Sequence, residues 1–174
     1  MRFSVAAGLA GLCALAIVSA PASAQQKTED DTFKLMKSET IGTLRIGMTA
    51  DQLGQTLKAK PARGADQRWE ADGQYHQKWT YARDGLRLTM VSEKKGGPKT
   101  VEMIDCMARC TLKSARGIGI GSTLADVQKA YAAEFNKEES KLPGTFVAGS
   151  IYGGLILSFK GGKVSQMFLG AAAE

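Results

Sequence analysis

Leu44-Arg45-Ile46-Gly47-Met48-Thr49-Ala50-Asp51-Gln52-Leu53 and Ile118-Gly119-Ile120-Gly121-Ser122-Thr123-Leu124-Ala125-Asp126-Val127 are one pattern written twice, at a constant offset of 74 residues. Ile46 matches Ile120, Gly47 matches Gly121, Thr49 matches Thr123 and Leu53 matches Val127. A repeat at fixed offset is the signature of a structural unit used more than once. A second pair of matches follows. Gly85-Leu86-Arg87-Leu88-Thr89-Met90 resembles Gly154-Leu155-Ile156-Leu157-Ser158-Phe159, and runs beginning at Val101 and Val164 end the two copies.

Thr49 and Thr123 are good helix N-caps, with Gln52 and Asp126 three positions on, where a side chain reaches back in capping-box fashion. Each therefore opens a helix. Leu124, Val127, Tyr131 and Phe135 fall at helical spacing in the second, whereas the first has only Leu53 and Leu57 and meets Pro61. Beyond each helix the period becomes two. Trp79 and Tyr81 share a face with Gln77 and Arg83, Leu86 with Leu88 and Met90, and Leu155 with Leu157 and Phe159. Arg87 and Thr89 then take the opposite face, with Glu102 and Ile104 as expected neighbours. Arg83-Asp84-Gly85, Lys94 to Pro98, Gly153-Gly154 and Lys160 to Lys163 carry hairpin-turn chemistry.

The expected fold is α+β. Two tandem units, each a helix followed by an antiparallel meander, occupy residues 41–105 and 117–174. The connector 106–116 lies between them, and a polar segment, 25–40, precedes them. Each unit is close to the smallest length that sustains a core of its own, so the two are expected to share one continuous sheet with the helices on one face. Phe33, Leu35 and Ile41 suggest a short strand within the polar segment. A sheet covered on one side leaves its other face to water or a partner.

The 174 residues are 44% hydrophobic and 23% charged, which excludes a disordered or fibrous chain. Residues 1–24 read as an export signal: the basic Arg2, an apolar stretch from Val5 to Val18, and the small residues Ala22-Ser23-Ala24 before a cleavage site at Gln25. Leu12 before Cys13 does not suit a lipobox. Beyond residue 24 no apolar run is long enough to cross a bilayer, so no stable membrane insertion is expected, and the location is periplasmic or secreted. Export leaves Cys106 and Cys110 as a pair in an oxidising space, where a disulfide is the expected state. So small a ring contributes about 2 kcal/mol at most. A redox motif would need C-x-x-C.

The Ile46-Gly47-Met48-Thr49 start, followed by a short helix and a meander, resembles the small envelope-protein domain typified by the SmpA/OmlA outer-membrane assembly lipoproteins. The duplication, the export signal and the cysteine pair resemble the β-lactamase-inhibitory-protein family, whose two such units form one long sheet with a concave binding face. The resemblance implies fold and a binding role. It transfers no enzyme-contacting residue, so inhibition of a β-lactamase in particular is not among its implications.

No catalytic constellation is apparent. His76 is the only histidine, carboxylates are dispersed, and Gly117-Ile118-Gly119-Ile120-Gly121 fits neither phosphate-loop template. Zinc at the cysteine pair would need two more ligands, for which the lone His76 is a poor start, so neither metal nor cofactor is expected. Residues 41–105 carry eleven basic and eight acidic groups, and 115–174 six and five, which makes no basic stripe and gives no reason to expect nucleic acid. Trp69, Tyr75, Trp79 and Tyr81 fall within thirteen residues beside Arg83 and Arg87, a mixture suited to a protein interface. The alternation of Trp79 and Tyr81 favours a core role for those two. The expected function is a non-enzymatic protein-binding module acting through its open sheet face, as an inhibitor or immunity protein. The alternative is a structural component of the envelope or cell wall.

Overall fold

A computed structural model describes residues 29–172. The expected export signal lies outside the described residues. Among the described residues there are three α-helices: α1 (Glu29–Ser38), α2 (Ala50–Thr56) and α3 (Leu124–Ala130). The strands are β1 (Ala62–Arg63), β2 (Gln67–Arg68), β3 (Tyr75–Tyr81), β4 (Leu86–Ser92), β5 (Thr100–Cys106), β6 (Thr145–Ala148), β7 (Gly154–Lys160) and β8 (Lys163–Gly170). All belong to one open antiparallel sheet in the order β1-β3-β4-β5-β8-β7-β6, with β2 also paired to β3. The protein is thus α+β, built on a single eight-stranded sheet.

The two threonines cap as their chemistry dictates. Thr49 accepts from the Gln52 N–H while the Gln52 side chain accepts from the Thr49 N–H, and Thr123 and Asp126 do the same. Gly47, at φ 82°, and Gly121, at φ 90°, make the turn before each cap. They also aim it. The Gly47 N–H donates to Val101 O (2.7 Å) and the Val101 N–H to Met48 O (2.8 Å); the Gly121 N–H donates to Val164 O (2.8 Å) and the Val164 N–H to Ser122 O (2.9 Å). β5 and β8 pair only over Ile104–Cys106 and Met167–Leu169. The two capping segments extend the ladder beyond the points where β5 and β8 part.

Register explains burial. Trp79 lies opposite Leu88, Tyr81 opposite Leu86, Leu88 opposite Ile104, Leu86 opposite Cys106, Ile104 opposite Leu169 and Leu155 opposite Leu169. These residues form one face, and they join Leu35 of α1, Leu53 of α2 and Val127 of α3 in one continuous core. The hairpin β7–β8 turns on Gly161 and Gly162, both at positive φ as a type I′ turn requires. At one end of the sheet the segment after α3 closes the outer edge of β6, with Asn136 N–H on Val147 O (2.9 Å) and Lys141 N–H on Thr145 O (3.0 Å). At the other end, the two-residue strands β1 and β2 leave little free edge.

Three expectations are corrected. Phe33 and Leu35 lie in helix α1 rather than a strand, because Leu35 and Met36 pack onto the core while Gly149 and Gly153 of the β6–β7 connection leave room beside Leu35 and Phe33. Ile104 faces the core, fully buried, because the β4–β5 register shifts between Thr89 and Met90 and puts both Val101 and Ile104 on the core face. Arg83 lies in the 3-10 turn Ala82–Asp84 and not on β3. Cys106 and Cys110 are both buried, with Cα atoms 5.5 Å apart, a separation compatible with a disulfide bond.

Candidate functional site

The face of the sheet away from the core carries the side chains between the buried ones. Thr80 is opposite Arg87, Arg87 opposite Asp105, Thr89 opposite Met103, Asp105 opposite Phe168 and Ile156 opposite Phe168. Met103, Ile156 and Phe168 are half-buried rather than covered. Asp105 is held from two sides, by the Gln166 Nε2 amide (2.8 Å) and by Arg87 Nη1 (3.6 Å). Arg87 Nη2 also donates to Met107 Sδ at 3.8 Å. The centre of the face is therefore a neutralised polar pair set among apolar groups.

At one margin β2 and its turn fold over this face. The Trp69 ring stacks on the His76 ring, with centroids 3.7 Å apart and planes 11° from parallel. Trp69 also lines a hollow of about 380 Å³ with Met103, Phe168, Ala171 and Ala172. A smaller one of about 180 Å³, lined by Gly64, Gln67, Lys78 and Thr89 among others, lies on its His76 side. The Trp69 N–H bonds to Gln74 O at 2.9 Å, so a closed turn, not a loose loop, presents the indole.

His76 is buried at this margin between two carboxylates. Its Nε2 is 2.9 Å from Asp72 Oδ2 and its Nδ1 is 2.7 Å from Glu102 Oε2. The Nδ1 contact is close but lacks hydrogen-bond geometry. Asp72 is held below the usual carboxylate range chiefly by the Gln74 N–H, with burial opposing and the His76 bond adding to the effect. A second ion pair ties the β4–β5 turn to the segment before β2. Lys99 Nζ lies 2.7 Å from Asp66 Oδ1, and the Gly96 N–H donates to Asp66 Oδ2 at 2.7 Å.

Of the six residues expected at a protein interface, the structure brings Trp69 and Arg87 to the open face. Trp79 and Tyr81, each 4% exposed, are core residues opposite Leu88 and Leu86, and Arg63 lies 4.1 Å over the Trp79 ring. Tyr75 shares their strand face and is half-buried, and Arg83 is exposed in its turn. Met103, Ile156 and Phe168 are additions that composition did not single out. Asp72 and His76 are four apart across one turn, a weak signal in sequence. Glu102 arrives from another strand and gave none.

Fold and face together define a class: an α+β protein with a single open antiparallel sheet, its core on one side and a mixed apolar and charged surface on the other. Beyond that class, no family model matches the chain, and neither a curated protein nor a solved structure matches it.

Proposed function

We propose that the protein is an exported, non-enzymatic module that docks another protein on the open face of its sheet, in the manner of an inhibitor or immunity protein. The observation that carries this reading is the half-buried set Met103, Ile156 and Phe168, flanked by Trp69 and centred on the Arg87–Asp105 pair. Apolar and aromatic anchors around a partly buried ion pair are what a binding surface needs. Catalysis is disfavoured by the state of the one histidine, whose side chain is 2% exposed, with Trp69 stacked on its ring and a carboxylate at each nitrogen. Export rests on the signal-like segment 1–24 and places the protein in the periplasm or outside the cell.

The same reading takes residues 41–105 and 117–174 as two tandem units, arranged as in the β-lactamase-inhibitory-protein family. What supports it is the equivalence of the two starts: same capping box, same glycine turn, and same pair of hydrogen bonds to the first residues of the last strand. The test is capture from an envelope extract on immobilised protein. A stoichiometric protein partner is expected on the wild type and on the helix-face variant Lys129→Glu, and not on Phe168→Asp or Arg87→Glu. Absence of any stoichiometric partner, or equal capture by all four, would sink the proposal.

A further inference from the structure

Asp72, His76 and Glu102 each offer one donor atom, and the three lie within 4.8 Å of one another. They come from three separate places, the turn after β2, strand β3 and the irregular start of β5. Nothing in core packing requires them to converge on the open side of the sheet. A structural reading would make His76 an imidazolium donating to both carboxylates, since a neutral ring can donate only once. The geometry fits that poorly. Glu102 Oε2 is 2.7 Å from Nδ1, yet Nδ1, deeply buried, makes no hydrogen bond. Nε2 is already taken up by its hydrogen bond with Asp72 Oδ2 at 2.9 Å, which leaves Nδ1 as the ring atom without one. A buried, unpartnered ring nitrogen with one carboxylate oxygen at 2.7 Å and a second carboxylate close by is disposed like a ligand set around a common point.

We propose that Asp72, His76 and Glu102 form a binding site for a divalent transition-metal ion of the zinc class, with water completing the coordination. A mixed imidazole and carboxylate set suits zinc, whereas calcium and magnesium favour oxygen ligands alone. Asp72 and Glu102 are partly exposed, so the ion enters from solvent without opening the core. Bound there, it ties the turn after β2 to β5 and fixes the ledge that carries Trp69. This inference stands apart from the docking reading, and its test does not use a protein partner.

The experiment is a titration of chelator-stripped protein with zinc chloride at neutral pH, followed by calorimetry and tryptophan fluorescence, with magnesium chloride as control. One saturable zinc site is expected. Its fluorescence signal persists in Trp79→Phe and disappears in Trp69→Phe, because only Trp69 stacks on the ligand ring. Glu102→Gln and Asp72→Asn, both partly exposed and checked for folding by circular dichroism, weaken binding by at least about tenfold. No saturable binding by folded wild type, an equal response to magnesium, or zinc binding unchanged in both carboxylate variants would overturn the assignment.

Discussion

Replacing Tyr131 by phenylalanine removes one hydroxyl from a buried polar cluster. Tyr131 is fully buried and Glu39 is 3% exposed. The Tyr131 hydroxyl donates to Glu39 Oε2 at 2.9 Å, while Oε1 accepts the N–H groups of Thr40 (3.0 Å) and Ala115 (2.8 Å). The carboxylate at the end of α1 is thus joined both to the connector and to α3. Burial, with the Glu39 charge beside the hydroxyl, pushes Tyr131 ionisation well above the ordinary tyrosine range, so the phenol remains a donor at any physiological pH. A hydrogen bond to a charged group contributes about 1.5–3 kcal/mol, and its loss here leaves a desolvated oxygen one donor short. Taking about 2 kcal/mol, and about 2–4 °C of Tm per kcal/mol for a chain of this size, Tyr131→Phe lowers Tm by about 4–8 °C. Thermal unfolding followed by circular dichroism measures the Tm and urea unfolding the free energy, with the exposed Tyr152→Phe as a control expected within about 0.5 kcal/mol of wild type. A Tyr131→Phe protein as stable as that control would refute the reasoning.

Other perturbations separate the remaining forces. Burial alone would raise the Asp66 pKa, but the bonds from Lys99 and the Gly96 N–H outweigh it and hold it below the usual range. A depressed carboxyl contributes stability above its unfolded pKa and loses it as pH falls through the folded value. Asp66→Asn is therefore destabilised near neutrality, and its deficit shrinks below about pH 4 in acid titrations of stability, where a constant deficit would contradict the assignment. Thr49→Ala and Thr123→Ala each cost about 1 kcal/mol in urea melts, since each removes the same capping box; a silent variant at either site would break the equivalence of the two helix starts. Gly85 and Gly96 are both at positive φ, but a Cβ on Gly85 would stand 2.3 Å from Ala108 O and 2.6 Å from Cys110 N, whereas one on Gly96 meets nothing within 4 Å. Gly96→Ala is expected to cost about 1–2 kcal/mol for the left-handed backbone, and Gly85→Ala clearly more, because the cysteine loop must also move.

The parts of the fold that were legible in sequence are those decided by neighbours along the chain. Thr49 and Thr123 meet their capping partners three residues on, and the period-two runs at Leu86 and Leu155 became strands with the anticipated faces inward. Where contacts between distant segments decide, local reading fell short. The run from Phe33 to Met36 is helical because Leu35 and Met36 reach the core and the glycines near β7 accommodate the helix. Ile104 turned inward because one irregular step in the β4–β5 ladder reverses the alternation beyond it. The same irregularity delivers Glu102 to His76, so the cluster had no sequence signal beyond the Asp72–His76 spacing. The aromatic cluster divided for a simple reason. Trp79 and Tyr81 are two apart on a regular strand and share the core face, whereas Trp69 lies outside the strands and is free to fold over the other side.

On the proposed function, a partner is met on the open sheet face. A photo-crosslinking side chain placed in turn at Thr80, Ile156 and Ser158 of that face, and at Thr56 and Gln128 on the helical side, reads the docked surface directly. A captured protein partner is expected to cross-link from the three sheet positions and from neither helix position. Cross-links from Thr56 or Gln128, with none from the sheet, would contradict it.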